Sequence, residues 1–232
     1  MVGIKFIAAG VGPGDPDLIT LRALKAVESA GLVLVPIAGA GRASVAESVI
    51  RAHLPRLETV SVVFPMTRDA DVRDRILRDQ LENLRWRWEG LQSVVLPVIG
   101  DSALYATAAY LYDIWKSICP GLALELVPGV SAHSLAGARS GRFLALGESI
   151  LSLIPGTAKP ENVTEALKAC NSAALYKPSA LRDGLRPVVE SAGPWSEILR
   201  VDRAGLPDEC VVAGGEALSP TEEYLSILLL WR

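Results

Sequence analysis

Apolar residues fall along this chain in two rhythms. Short unbroken runs at residues 4–9, 32–36, 60–64 and 94–99 read as strands buried on both faces. Between them lie stretches with helical spacing. Residues 20–30 place Leu21, Leu24 and Val27 on one face, and further helices are expected at 44–53, over the long charged stretch 71–89, and at 103–118. Alternating strands and helices predict a mostly parallel sheet with helices on both faces. In such sheets ligands gather outside the carboxyl ends of the strands. The Gly- and Pro-rich loop at 10–17 and the turn at 100–102 both follow strands, so they are candidates to share one crevice.

The rhythm changes after Pro120-Gly121. A strand at 123–127 runs into Pro128-Gly129-Val130-Ser131 and a helix of small residues. Later strands are expected at 149–154, 173–176, 198–201 and 225–230, with helices at 162–169 and 180–190. The division this suggests is an N-terminal α/β domain over 1–120 and a C-terminal α/β domain over 121–232. No repeat or low-complexity tract interrupts either.

The length of 232 residues suits one large or two ordinary domains, and a composition half hydrophobic supplies a core. The net charge of -3 does not suit a phosphate-backbone binder. Three separated cysteines, Cys119, Cys170 and Cys210, and two histidines, His53 and His133, leave no zinc or redox spacing, so no bound metal is expected and a reduced cytoplasmic setting is the simplest reading. The apolar stretch at the start is too short and broken for a signal peptide or membrane span.

Four segments carry candidate chemistry, each with a plainer alternative. Gly10-Val11-Gly12-Pro13-Gly14-Asp15-Pro16 lets main chain approach a ligand, or is simply a tight turn. Pro13 and Pro16 interrupt it, so it is a poor dinucleotide fingerprint. Ile99-Gly100-Asp101-Ser102 brings bare backbone and a carboxylate to a strand end, or Asp101 merely caps the next helix. Pro128-Gly129-Val130-Ser131-Ala132 would admit a ligand beside small residues, or packs tightly. Lys177 in Ala174-Leu175-Tyr176-Lys177-Pro178 reaches into a cleft, or is solvated.

In combination and order these segments resemble the tetrapyrrole methylase family. The resemblance rests on GVGPGDPDLITLRALKAVESAGLVLVP, VFPMTRD, IGDSALYATAAYL, ELVPGVSAHSLAGARSGRFLALGESILSLIPG and ALYKPSA, spanning roughly residues 4–180. FPMT and the tyrosine of GDSALYAT are similar to the branch that methylates carbon 20 of precorrin-2 or cobalt-factor II in cobalamin biosynthesis. The family implies two α/β domains with mostly parallel sheets and the active cleft between them. It also implies S-adenosyl-L-methionine as cofactor, a tetrapyrrole as substrate and a homodimer. Carried over by position, the cofactor-binding residues are Pro13, Ile99, Gly100, Asp101, Leu104, Ser131, Ala132, Tyr176 and Lys177. Asp101 is also the candidate catalytic residue, orienting the cofactor's ammonium group. The substrate's carboxylates call for basic groups, and Arg42, Arg68, Arg139 and Arg142 are the candidates, with Tyr105 and Tyr224 beside them.

Three other readings stay open. Family relatives methylate other tetrapyrrole carbons. Others methylate ribosomal RNA or a modified histidine, though an RNA substrate would want a more basic chain. A chain that binds cofactor or tetrapyrrole without transferring methyl would keep the loops and never turn over.

Overall fold

The computed structural model describes residues 3–39, 41–67 and 69–232. These form ten strands and eight α-helices in two compact units, one through Ser131 and one from Ala132 to Arg232.

The first unit holds strands β1 (Lys5–Gly10), β2 (Leu32–Ile37), β3 (Val60–Val63), β4 (Ser93–Val98) and β5 (Ala123–Val127). They form an all-parallel sheet of order β3-β2-β4-β1-β5. Its helices are α1 (Leu21–Glu28), α2 (Val45–His53), α3 (Ala70–Asn83), α4 (Arg85–Trp88) and α5 (Ala108–Ile118). Successive strand residues point to opposite faces. Phe6, Leu34 and Leu96 pack with Leu77, Leu81, Leu111 and Trp115 of α3 and α5. Ile7, Val33 and Val95 pack with Ala23, Val27, Val49 and Ile50 of α1 and α2. Both faces being covered is why the strands read as unbroken apolar runs.

Local signals set several ends. Thr20 Oγ accepts the Ala23 amide at 3.1 Å and starts α1. Ser44 does the same for α2 through the Glu47 amide. The helix expected over 71–89 breaks at Leu84 into α3 and α4. The break turns Trp88 into the core, where its indole N–H donates to the Leu81 carbonyl at 2.8 Å. The helix expected from 103 starts at Ala108, because Tyr105 at φ 51° cannot continue a right-handed turn.

The first unit runs past the expected boundary at 120. β5 pairs along β1, so the segment through Ser131 belongs to the first sheet.

The second unit contains α6 (Ala132–Ser140), β6 (Leu151–Pro155), α7 (Pro160–Lys168), β7 (Ser172–Tyr176), α8 (Leu185–Ala192), β8 (Glu197–Asp202), β9 (Cys210–Ala213) and β10 (Ser226–Trp231). The sheet order is β6-β7-β10-β8-β9. This sheet is mixed rather than mostly parallel. Only β6 and β7 pair in parallel, and β10 runs antiparallel to both β7 and β8. The strand-helix rhythm does give three co-directional strands, β6, β7 and β8, linked by α7 and α8. The last strand then returns between two of them. Its residues are all buried, as the apolar C-terminal run predicts. Strand β9 goes unpredicted because it is a short, largely exposed edge of four residues. α8 begins after a short 3-10 segment, Pro178–Gly184, broken at Arg182 (φ 51°).

Among the described residues no helix is long and apolar enough to cross a membrane, and no three His, Cys, Asp or Glu side chains converge as a metal site.

Candidate functional site

In the first unit the loops after β1, β4 and β5 are stitched to one another. Gly100 donates its amide to the Gly12 carbonyl at 2.8 Å, and Gly12 returns a bond to Gly100 at 3.3 Å. Ser102 Oγ, almost wholly buried, donates to the Val127 carbonyl at 2.8 Å. Thr20, besides capping α1, donates to the Pro128 carbonyl at 3.4 Å.

Asp101 joins two loops. Its Oδ1 accepts the Ala103 amide at 2.8 Å, and its Oδ2 accepts the Gly129 amide at 2.9 Å. The helix cap weighed from sequence is not what forms, because the next helix starts only at Ala108 after Thr107; Asp101 instead braces the turn after β4 and clamps it to the Pro128-Gly129 turn.

Three glycines meet here for different reasons. A Cβ on Gly129 would fall 2.4 Å from the Gly100 oxygen and 2.6 Å from Gly10 carbon. A Cβ on Gly10 would fall 2.7 Å from both the Gly100 oxygen and the Gly129 nitrogen. These two permit backbone to lie on backbone. Gly100 differs: it sits at φ +75°, and a Cβ there would meet nothing within 4 Å. The β4 end is thus a tight, buried backbone turn without a side chain at Gly100, flanked by buried Pro13 and half-buried Ile99, Asp101 and Leu104. Ser131, 8% exposed, closes the first unit's segment.

Tyr105 is in the same loop, its side chain partly exposed and its backbone left-handed. Such strain in a bulky residue marks a held conformation. Burial pushes its phenol above the ordinary range, so it stays a neutral hydroxyl at physiological pH.

In the second unit a different construction surrounds the end of β7. Lys177 is left-handed at φ 55°, ψ 53°. It is held there by its amide to the Ser226 carbonyl, 3.1 Å, and by the Ala180 amide to its own carbonyl, 3.0 Å. Gly156 donates to the Tyr176 carbonyl at 2.7 Å, and a Cβ on Gly156 would stand 2.5 Å from the Lys177 oxygen. The Lys177 ammonium lies 4.8 Å from the centroid of the Tyr224 ring. Tyr176, Lys177 and Tyr224 are thus together. Ala132 opens α6, and next to it His133 reaches the Tyr176 hydroxyl at 2.7 Å through Nδ1. His133 is a contact that motif reasoning missed. The signal available was its position directly after Ser131-Ala132 and the rarity of histidine in the chain.

The arginines do not all gather with these residues. Arg139 is paired with Glu209 at 2.9 Å, in the turn after β8. Arg142 forms an ion pair with Glu197 and lies over the Trp231 ring at 4.9 Å. Trp231 pairs with Ser172, at the other end of β7 from Tyr176, so Arg142 is separated from Lys177 by the length of that strand. Arg42 is exposed and carries no ion pair among the described residues. Arg68 lies outside the described residues.

Residues 5–217 match the model of the tetrapyrrole (corrin/porphyrin) methylases. The chain belongs to this family. A precorrin-2 C(20)-methyltransferase of Sinorhizobium sp is 26% identical, over 100% of this chain and 98% of its own. A cobalt-precorrin-2 C(20)-methyltransferase of Salmonella typhimurium is 30% identical, over 88% of this chain and 86% of its own. Among solved structures, uroporphyrin-III C-methyl transferase from Thermus thermophilus, complexed with S-adenyl homocysteine, superposes with a TM-score of 0.69 at 20% identity. That match covers 98% of this chain and 97% of that one and shows a shared fold.

Proposed function

We propose that this methylase transfers a methyl group from S-adenosyl-L-methionine to carbon 20 of precorrin-2 or its cobalt complex. The observation that carries the proposal is the near full-length similarity to two C(20)-methyltransferases, one named for each form of that substrate. When bound, S-adenosyl-L-methionine supplies a sulfonium methyl group open to in-line displacement by an electron-rich meso carbon.

The chain's own contribution is orientation. Gly100 turns the chain at the β4 end without a side chain, with Pro13, Ile99 and Leu104 shaping the surface around it. Asp101, fixed by the amides of Ala103 and Gly129, retains lone pairs that suit the cofactor's ammonium group. Ser131 and Ala132 contact the cofactor in this reading, and Tyr176 and Lys177 meet its adenosine. Alignment of this kind is worth up to ~7–11 kcal/mol of barrier. Tyr105, neutral, and Tyr224 offer hydroxyls to the macrocycle. Arg42, exposed and without an ion pair among the described residues, is free to take its carboxylates in this scheme, and Arg68 is assigned the same role by the resemblance alone. Arg139 and Arg142 would have to share guanidinium groups already engaged by Glu209 and Glu197.

A cytoplasmic homodimer completes the proposal. It is supported by Leu124 and Leu126, which stand 43% and 45% exposed on the edge strand β5, a surface a second copy would cover.

The test is a mass-spectrometric transfer assay without oxygen, giving the protein S-adenosyl-L-methionine with precorrin-2 or with its cobalt complex. The expected result is a gain of one methyl, release of S-adenosylhomocysteine, and carbon-13 label at position 20. Cofactor binding with no transfer to either substrate would sink the proposal in favour of another carbon or a non-catalytic binder.

A further inference from the structure

His133 is assigned to nothing by motif, yet the second unit builds a specific contact around it. Its Nδ1 stands 2.7 Å from the Tyr176 hydroxyl, and its main-chain N–H is directed at the same oxygen at 3.4 Å. The two rings meet edge to face, 6.0 Å apart at 74°. The contact spans 43 residues of sequence and joins the first turn of α6 to the last residue of β7.

Tyr176 is therefore fixed at both ends. Gly156 holds its carbonyl, the left-handed Lys177 follows it, and His133 holds its hydroxyl. A tyrosine at a strand terminus would otherwise sample several rotamers. Pinning the hydroxyl selects one and presents one ring face. α6 does not depend on this bond for its seat, since Leu135 and Ala136 are buried and the helix packs on β10.

We infer that His133 is a positioning residue for the cofactor: it locks the Tyr176 ring in the pose that receives the adenosine. The inference rests on the proposed reading that Tyr176 meets the cofactor. His133 acts through Tyr176, and its effect falls on cofactor affinity rather than on the methyl-transfer step, because a ring that receives the adenosine binds it alike before and during transfer.

A double-mutant cycle read by calorimetric binding of S-adenosylhomocysteine tests this. His133→Phe keeps a ring and removes the polar atom. His133→Asn keeps a polar atom near the Nδ1 position. Tyr176→Phe removes the hydroxyl. His133→Phe and Tyr176→Phe should each weaken binding about fivefold, the worth of one net hydrogen bond. The double variant should be no weaker than either single one, and His133→Asn should stay within about twofold of the parent. In turnover the first two should raise KM for S-adenosyl-L-methionine with kcat nearly unchanged. Thermal unfolding of each variant separates a folding defect from a positioning one. Parent-like binding by His133→Phe, or losses that multiply in the double variant, would overturn the inference and leave the proposed function standing. Failure of the parent itself to bind S-adenosylhomocysteine would overturn both.

Discussion

The two units hold their strand ends in opposite ways. In the first, main chain lies on main chain: Gly10, Gly12, Gly100 and Gly129 bring three loops within bonding distance, and Asp101 and Ser102 complete the stitching. In the second, side chains add to a backbone contact at Gly156: His133 on Tyr176, Lys177 against Tyr224, with one left-handed lysine between them. A backbone-built corner has no slack, because atoms at packing distance cannot yield. A side-chain-built corner can adjust rotamers. Substitutions should therefore be severe at the backbone contacts, which dominate the first unit's corner, and graded at the side-chain contacts of the second.

Gly129→Ala should give the largest effect. Its Cβ would lie 2.4 Å from the Gly100 oxygen, and no flexible group can move aside. A loss of about 3 kcal/mol is expected by denaturant unfolding, with cofactor binding abolished. Gly100→Ala is the matched control: open space but φ +75°, so only the left-handed penalty of ~1–2 kcal/mol applies. Equal losses at the two positions would break the distinction between crowding and conformation.

Next comes Asp101→Ala, which strands the Ala103 and Gly129 amides. Charge-assisted bonds of this kind are worth roughly 1.5–3 kcal/mol each when intact, and water can replace part of that at a half-buried site. A net loss of about 2 kcal/mol is expected, together with weaker cofactor binding. The clamp to Gly129 is the reason that stability as well as binding should fall. Asp101→Asn keeps one acceptor and should fall between. A variant as stable as the parent would show that the clamp contributes nothing.

These cases also show what was legible beforehand. The first unit's loops could be read because glycine, proline and an acid at a strand end act within a few residues. A mostly parallel sheet followed from apolar runs covered on both faces, and in the first unit every pairing is parallel. The second unit was harder. That β10 would insert antiparallel between β7 and β8 depends on a long-range return that no local period records. The His133–Tyr176 contact likewise joins residues far apart in sequence, and neither residue alone carries a spacing signal. Arg142 lay in a matched segment, yet Glu197 and Trp231 hold it at the far end of β7. The break at Leu84 was hidden because charged residues continue the helical pattern through it.

Lys177→Gly tests the second corner with an effect of the other sign. Glycine adopts φ 55° without penalty, so stability should rise by about 1 kcal/mol. The contact with Tyr224 is lost with the ammonium, so binding of cofactor or substrate should weaken. A gain in melting temperature with unchanged turnover would mean that the strain at Lys177 serves no ligand.

The smallest effect should come from Glu125, away from the strand-end loops. Its carboxyl is held below the ordinary range, first by the hydrogen bond from Lys5 and next by that from Arg22, at 2.9 and 3.0 Å. Both cations are largely solvated, so the pairs should contribute only about 0.5 kcal/mol. The sign follows from the lowered value. The unfolded chain binds the proton more readily, so the contribution is present above the unfolded carboxyl pKa, near 4.3, and is lost as pH falls through the lower folded value. Glu125→Gln should therefore be slightly less stable than the parent at neutral pH, with the gap closing in acid and shrinking in high salt. Cofactor affinity should not change. A gap that persists below pH 3 would assign Glu125 a packing role instead, and a change in cofactor affinity would mean that the two ends of the parallel sheet are mechanically coupled.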